Sequence, residues 1–186
     1  MNDFEIRLAL GAKLRGRIGT AALVIEELGI CQGSVFADLA VVNGQLEGYE
    51  IKGDEDSFRR LPHQSAAYSK VMARASLVVT ERHLEAAHQS VPLWWGIMLA
   101  CSKQRSLEIV TIRKAKRNPS VDPSSLVQLL WRDEVFTHLQ KLGYSKGLSG
   151  RPRRELWARL ASQLSLRQLE SLVCDQIRQR GNWRSA

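Results

Sequence analysis

The stretch Val35–Lys52, VFADLAVVNGQLEGYEIK, decides the fold. Val35–Val42 and Leu46–Lys52 are apolar runs of strand length, and Asn43-Gly44 between them is the strongest short-range hairpin signal. Asp38 interrupts the first run, and Glu50 and Lys52 stand in the second. A charge inside a half-buried strand is costly unless it is paired or has chemical work to do. Glu50 and Lys52 are two positions apart and project from one sheet face, while Ile51 goes to the other. Register then decides where Asp38 points. A two-residue loop pairs Asp38 with Tyr49 and turns its carboxylate away from Glu50. A three-residue loop with a bulge at Gly44 pairs Asp38 with Glu50 and gathers all three side chains. The bulged register is expected here. Two carboxylates beside a lysine make an oxygen-rich site suited to Mg²⁺ or Mn²⁺. The same trio also reads as an edge-strand salt-bridge cluster that discourages strand pairing.

Outward from the hairpin, the pattern alternates between helical and strand periods. Asp3–Leu14 reads as a helix with apolar Phe4, Ile6, Leu8, Leu10 and Leu14. Ala21–Leu28 reads as a second helix, stopped by Gly29. Asp56–Met72 is helical, with Phe58, Leu61, Tyr68, Val71 and Met72 at three- and four-residue steps. Strands are expected at Ser76–Glu81, Trp94–Cys101 and Leu107–Lys114, with a short helix over His83–Ser90. The fold class is therefore α/β, a mixed sheet flanked by helices. The basic, turn-rich run Arg113–Ser120 sets a boundary between a core over residues 1–120 and a helical module over 121–186, expected to pack on that core. In the module, Asp122-Pro123 opens a helix that Gly143 ends, Arg154–Leu164 is a second, and Ser165-x-x-Gln168 caps a third.

The composition narrows the partners. The chain has 186 residues, 44% of them hydrophobic and 25% charged, with a formal net charge of +8. Its three cysteines lie far apart, so neither a disulfide framework nor a zinc ribbon is indicated, and a reducing cytoplasm is the expected location. The longest apolar run, Val91–Cys101, is too short to span a bilayer and is broken by Pro92 and Gly96. The charge excess favours a polyanion partner such as nucleic acid, with a homodimer or a partner protein also open. Residues 1–120 hold 16 basic and 13 acidic side chains, whereas 121–186 hold 11 and 6. Lys146, Arg151, Arg153, Arg154 and Arg159 fall in and just after the flexible loop of the helical module. They read either as phosphate contacts or as the charges of a solvated linker. His63 reads as a solvated turn residue, with a phosphate contact as the alternative.

Asp38, eleven intervening residues and then Glu50-Ile51-Lys52 resemble the Asp…Glu-x-Lys core of the PD-(D/E)xK nuclease superfamily, the restriction-endonuclease-like fold. Gln64-Ser65-Ala66-Ala67-Tyr68 is similar to the Gln-x-x-x-Tyr motif of its helicase-associated and phage-exonuclease branch. ELGICQG, GYEIK, RLPHQSAAYS and VPLWWGI extend the likeness to an uncharacterised bacterial family with this core. The chain departs from that pattern at Phe36, Ala37 and Ala73. The resemblance implies an Mg²⁺-dependent phosphodiesterase, a deoxyribonuclease. In that scheme Asp38, Glu50 and the Ile51 carbonyl hold the metal, assisted by a helix carboxylate from Glu27 or its neighbour Glu26. Lys52 positions or deprotonates the attacking water, and Gln64 and Tyr68 hold phosphate oxygens or brace the lysine. A fold that has kept this core and lost activity, binding nucleic acid or acting as an adaptor, is the alternative, as is a subunit active only with a partner.

Overall fold

The computed structural model describes residues 1–17, 22–103 and 106–180. Ala21, where the second helix was expected to begin, and 181–186, the end of the helical module, lie outside the described residues. The chain forms two compact units, Met1–Val121 and Asp122–Ala186.

The first unit is one six-stranded mixed sheet with helices packed on it. Helix α1 (Asp3–Arg17) leads into β1 (Leu23–Ile30), β2 (Val35–Val42) and β3 (Leu46–Lys52). A 3₁₀ turn at Phe58–Arg60 precedes α2 (Leu61–Val71), followed by β4 (Arg74–Thr80), α3 (Leu84–Ser90), β5 (Gly96–Lys103) and β6 (Ser106–Arg113). Strands lie in sequence order across the sheet. The β1/β2, β2/β3 and β5/β6 pairs are antiparallel, and β3/β4 and β4/β5 are parallel. The helices α2 and α3 lie in the two parallel crossovers, the connections such pairs require.

On one face, Ile6, Leu10 and Leu14 of α1 pack with Leu39, Tyr49, Ile51, Val78 and Met98 from four strands. Glu50 and Lys52 alternate to the other face, where α2 covers them. Gly48 shares that face, and a Cβ there would meet the Tyr68 ring at 2.8 Å and the Met72 Cε at 3.1 Å. The missing side chain is what lets α2 lie close to β3.

Two expectations are corrected. Ala21–Leu28 is not a helix: Leu23–Ile30 is an edge strand paired along β2, from Leu23 opposite Val42 to Ile30 opposite Val35. Gly29, read as a helix stop, lies inside that strand. The β-branched Val24 and Ile25 fit a strand, and sheet pairing overrides the apparent helical run. β5 also begins at Gly96, beyond Trp94 and Trp95.

In the second unit, α4 (Pro123–Leu126) is capped by Asp122, whose carboxylate accepts from the N–H groups of Ser124 and Ser125. The helix expected to run on to Gly143 is broken. A 3₁₀ turn ends at Leu130, which has an extended ψ of 138°, and α5 (Arg132–Lys141) starts afresh. The break is built in: the Trp131 N–H donates to Glu134, and the Leu130 carbonyl accepts from the Trp157 indole at 3.1 Å. The remaining helices are α6 (Arg153–Gln163) and α7 (Leu166–Gln179), the latter opened by the Ser165/Gln168 capping box. Among the described residues, no helix is long and apolar enough to cross a membrane.

Gly48→Ala is expected to destabilise the chain by about 1–3 kcal/mol, because the ring and the β3 backbone have no room for a methyl group. Urea unfolding measures it; an unchanged midpoint would show that the close approach of α2 to β3 is not real.

Candidate functional site

The β2–β3 loop is three residues long, with Gly44 at φ +67°. Val42 stands opposite Leu46 and Leu39 opposite Tyr49, so the same register carries Asp38 opposite Glu50. Beyond Leu39 the ladder gives way to a side-chain contact, in which the Ile51 N–H donates to Asp38 Oδ2 at 2.7 Å. The N–H and C=O of one strand residue point the same way, so the Ile51 carbonyl faces the same gap.

Glu50 is 1% exposed and Lys52 4%. Burying such a pair is tolerable only when its hydrogen-bonding capacity is met. Lys52 Nζ donates to Glu50 Oε1 at 2.7 Å and to Gln64 Oε1 at 3.2 Å. The Tyr68 hydroxyl donates to Glu50 Oε2 at 2.9 Å, with the Tyr49 carbonyl 3.2 Å away. Gln64 and Tyr68 lie one turn apart on α2 and reach the network from the same helix face. Burial, and then the Glu50 charge, pushes the Tyr68 hydroxyl well above its ordinary range, so it remains a donor.

The structure therefore brings Asp38, Glu50, Lys52, Gln64 and Tyr68 together. Glu27 reaches the rim by a different route from the expected helix. It lies on β1, in a left-handed conformation at φ 56° and across from Asp38. Its side chain is 59% exposed and accepts from Arg7 Nη1 at 3.2 Å. Glu26 is directed elsewhere, toward Arg15 at 3.4 Å.

Arg7 is the residue that sequence reasoning missed. From α1 it reaches Asp3 at 2.9 Å, Glu27 at 3.2 Å and Asp38 Oδ1 at 3.3 Å. Its only sequence signal is the spacing of four from Asp3. Even with this cation nearby, burial and the Glu50 charge push Asp38 up to about 7.

Among the described residues, no group of three or more His, Cys, Asp or Glu side chains is placed to hold a metal ion. The donor set that remains is the Asp38 and Glu50 carboxylates with the Ile51 carbonyl. Such a set suits a hard cation that keeps several waters and completes its shell with phosphate oxygens.

The open side of Asp38 is a cleft of about 480 Å³ whose lining includes Phe36, Arg59, Arg60, His63 and Gln64. Phe36 is 56% exposed there. Arg59 and Arg60 were also missed, although they directly precede the helix that carries Gln64.

In the second unit, Lys146, Arg151, Arg153, Arg154 and Arg159 are all exposed. The Arg153 guanidinium lies 4.5 Å from the Trp157 ring centre and that of Arg159 lies 5.3 Å from Tyr144. Arg151 pairs loosely with Glu155 at 3.8 Å.

Comparison with known proteins gives a different affiliation from the motif. The family model described as bacteriophage P4 protein cII matches residues 3–185. Protein cII of Enterobacteria phage P4 is 26% identical over 182 residues, covering 97% of this chain and 68% of that protein. No solved structure matches. These matches overturn the resemblance to the PD-(D/E)xK superfamily and to the uncharacterised bacterial family. With them falls the expectation of a metal-dependent phosphodiesterase, whether called nuclease, endonuclease or hydrolase. The physical reason the pattern misleads is visible in the site. Glu50, Lys52, Gln64 and Tyr68 satisfy one another in a buried network, so the spacing that suggested catalysis is also one that a stable core requires.

The raised pKa of Asp38 has a definite stability consequence. It moves from about 7 when folded to its ordinary 3.8 when unfolded, so between these values the folded chain holds a proton that the unfolded chain releases. The stabilisation from that proton is complete below about pH 4 and is lost as pH rises through 7. Asp38→Asn keeps an oxygen for the Ile51 N–H and is expected to remove this decline. Urea melts from pH 5 to pH 8 test it; an identical decline in parent and variant would contradict the assignment.

Proposed function

The chain belongs to the bacteriophage P4 protein cII family, and from that premise we propose that it is a nucleic-acid-binding protein whose phosphate contacts centre on the cleft beside Asp38. The observation that carries this reading is the cleft lining itself. Arg59, Arg60 and His63 edge a groove of about 480 Å³ in which Gln64 offers an amide and Phe36 an exposed ring. Guanidinium groups suit phosphate oxygens because their fork matches two acceptors at once. An exposed aromatic ring beside them offers a base a stacking surface. The cleft lies at the carboxyl end of β3, where parallel strands of α/β folds commonly present their ligand sites.

In this reading Asp38 and Glu50 are not left facing an anion unaided. Asp38, Glu50 and the Ile51 carbonyl would hold Mg²⁺, which would supply positive charge beside the acid pair. Mn²⁺ would serve the same way. Lys52 and Tyr68 fix the Glu50 carboxylate in place, and Gln64 braces Lys52. Glu27 stands at the rim, exposed and paired with Arg7. Arg7 balances the acids when no cation is bound. Lys146, Arg151, Arg153, Arg154 and Arg159 add contacts to the phosphate backbone from the second unit, carrying no sequence information of their own.

Fluorescence anisotropy with a labelled DNA duplex across a salt series tests the proposal. The parent should bind with an affinity that falls steeply as salt rises. The double variant Arg59→Ala, Arg60→Ala should bind more weakly, with a salt slope shallower by about 1 for each phosphate that is no longer neutralised. A variant that matches the parent in affinity and slope would remove the cleft from the interface.

A further inference from the structure

The opposite face of the sheet holds a second charged cavity, unrelated to the acid pair. It has a volume of about 400 Å³ and opens near the residues that end α1, between β3, β4 and the end of β6. Tyr49 on β3 and Ser76 on β4 stand side by side and line its floor, with Gly96 of β5 next in the same row. Gly96 is required there: a Cβ would sit 2.6 Å from Ser76 Oγ, 2.9 Å from the Ala115 nitrogen and 3.1 Å from the Arg113 carbonyl. At the far wall the β5/β6 register slips between Ile97 and Met98, so Thr111 is opposite Met98 and Arg113 opposite Ile97. A bulge of this kind re-aims side chains at a strand end.

The lining is strongly cationic. Arg17, Arg74, Arg113 and Lys114 face a single acid, Glu47. Arg17 is the one that reaches it, at 3.4 Å. Arg74 donates to the Ala115 carbonyl, and Arg113 to the carbonyls of Trp95 and Pro92. These are neutral partners, so both guanidinium charges remain uncompensated. Burial alone lowers Arg113 from its ordinary value, with no acid offsetting it. Ser76 is 8% exposed and lines the cavity. Among the described residues its hydroxyl makes no hydrogen bond within the protein. It stands beside Gly96 at the cavity wall, open to a ligand, and a free donor in a cationic cavity suits an anion.

We propose that this cavity is a binding site for a phosphate monoester, with Arg17, Lys114 and the free sides of Arg74 and Arg113 neutralising its charge and the Ser76 and Thr111 hydroxyls donating to its oxygens. A carboxylate would occupy one guanidinium fork. Several cations and two hydroxyls converging from β4, the end of β6 and the end of α1 suit a tetrahedral dianion. The volume accommodates a mononucleotide or the phosphorylated end of a nucleic acid strand. The site is independent of the cleft beside Asp38, lying on the other face of the sheet.

Isothermal titration of the full chain with inorganic phosphate and with a nucleoside monophosphate tests this directly. Arg17→Ala and Ser76→Val should each weaken phosphate binding on the order of tenfold, since each removes a charge-assisted hydrogen bond. Lys114→Ala, at an exposed position, guards against a folding defect in the others and should also weaken binding. A 5′-phosphorylated oligonucleotide that binds more tightly than its unphosphorylated form, through Ser76, identifies a strand end as the source. A preference for the free nucleotide identifies a mononucleotide. No heat of binding from the parent with either probe, or equal binding by parent, Arg17→Ala and Lys114→Ala, would overturn the proposal.

Discussion

The buried carboxylate of Glu50 is the constraint around which the first unit is organised. At 1% exposure it can keep its charge only if both oxygens are served, by Lys52 from its own strand and by Tyr68 from α2. That requirement fixes several other features. Lys52 must alternate to the same face, Tyr68 must lie flat over β3, and position 48 must carry no side chain. Gln64, one turn before Tyr68, then meets the lysine. Removing one partner would leave an uncompensated buried charge, the most costly kind of core defect. The network therefore holds the α2 face together, whatever ligand approaches its rim.

Asp38 stands at the edge of this arrangement and is less completely served. It accepts from the Ile51 N–H and from Arg7, yet burial and the Glu50 charge still lift it to about 7. An acid poised in this way is sensitive to any cation that arrives. The groove beside it supplies arginines rather than further acids. On the other face the cavity is lined by one acid and carries an excess of positive charge. The two faces are thus different in kind: one joins an acid pair to a basic rim, and the other is cationic almost throughout.

Much of this was legible in the sequence where the signal was local. The Asn43-Gly44 turn, the alternation in Val35–Lys52 and the three-residue loop located the hairpin and set Asp38 opposite Glu50. The i, i+4 spacing of Gln64 and Tyr68 placed both on one helix face. The edge strand β1 was missed because Leu28-Gly29 imitates a helix end and the strand has only one neighbour to enforce alternation. The break at Leu130 was missed because it depends on Trp157, 27 residues away. Arg7 and the basic cavity left no sequence signature, since both arise from residues far apart in the chain that only the sheet brings together. The family affiliation was missed for a different reason. Four residues that satisfy one another in a core, with an acid at their edge, are a weak guide to ancestry, whereas the family match extends over residues 3–185.

If the acid pair and the basic cleft form one site for a cation and a nucleic acid phosphate, the two ligands must be thermodynamically linked. Binding of a labelled DNA duplex would be measured at constant ionic strength with and without Mg²⁺, for the parent and for Asp38→Asn. A shared site requires that Mg²⁺ tighten DNA binding by the parent, that DNA tighten Mg²⁺ binding by the same factor, and that Asp38→Asn lose both effects while still binding DNA. Equal DNA affinity with and without Mg²⁺ in the parent, or an Mg²⁺ effect of the same size in Asp38→Asn, would contradict it.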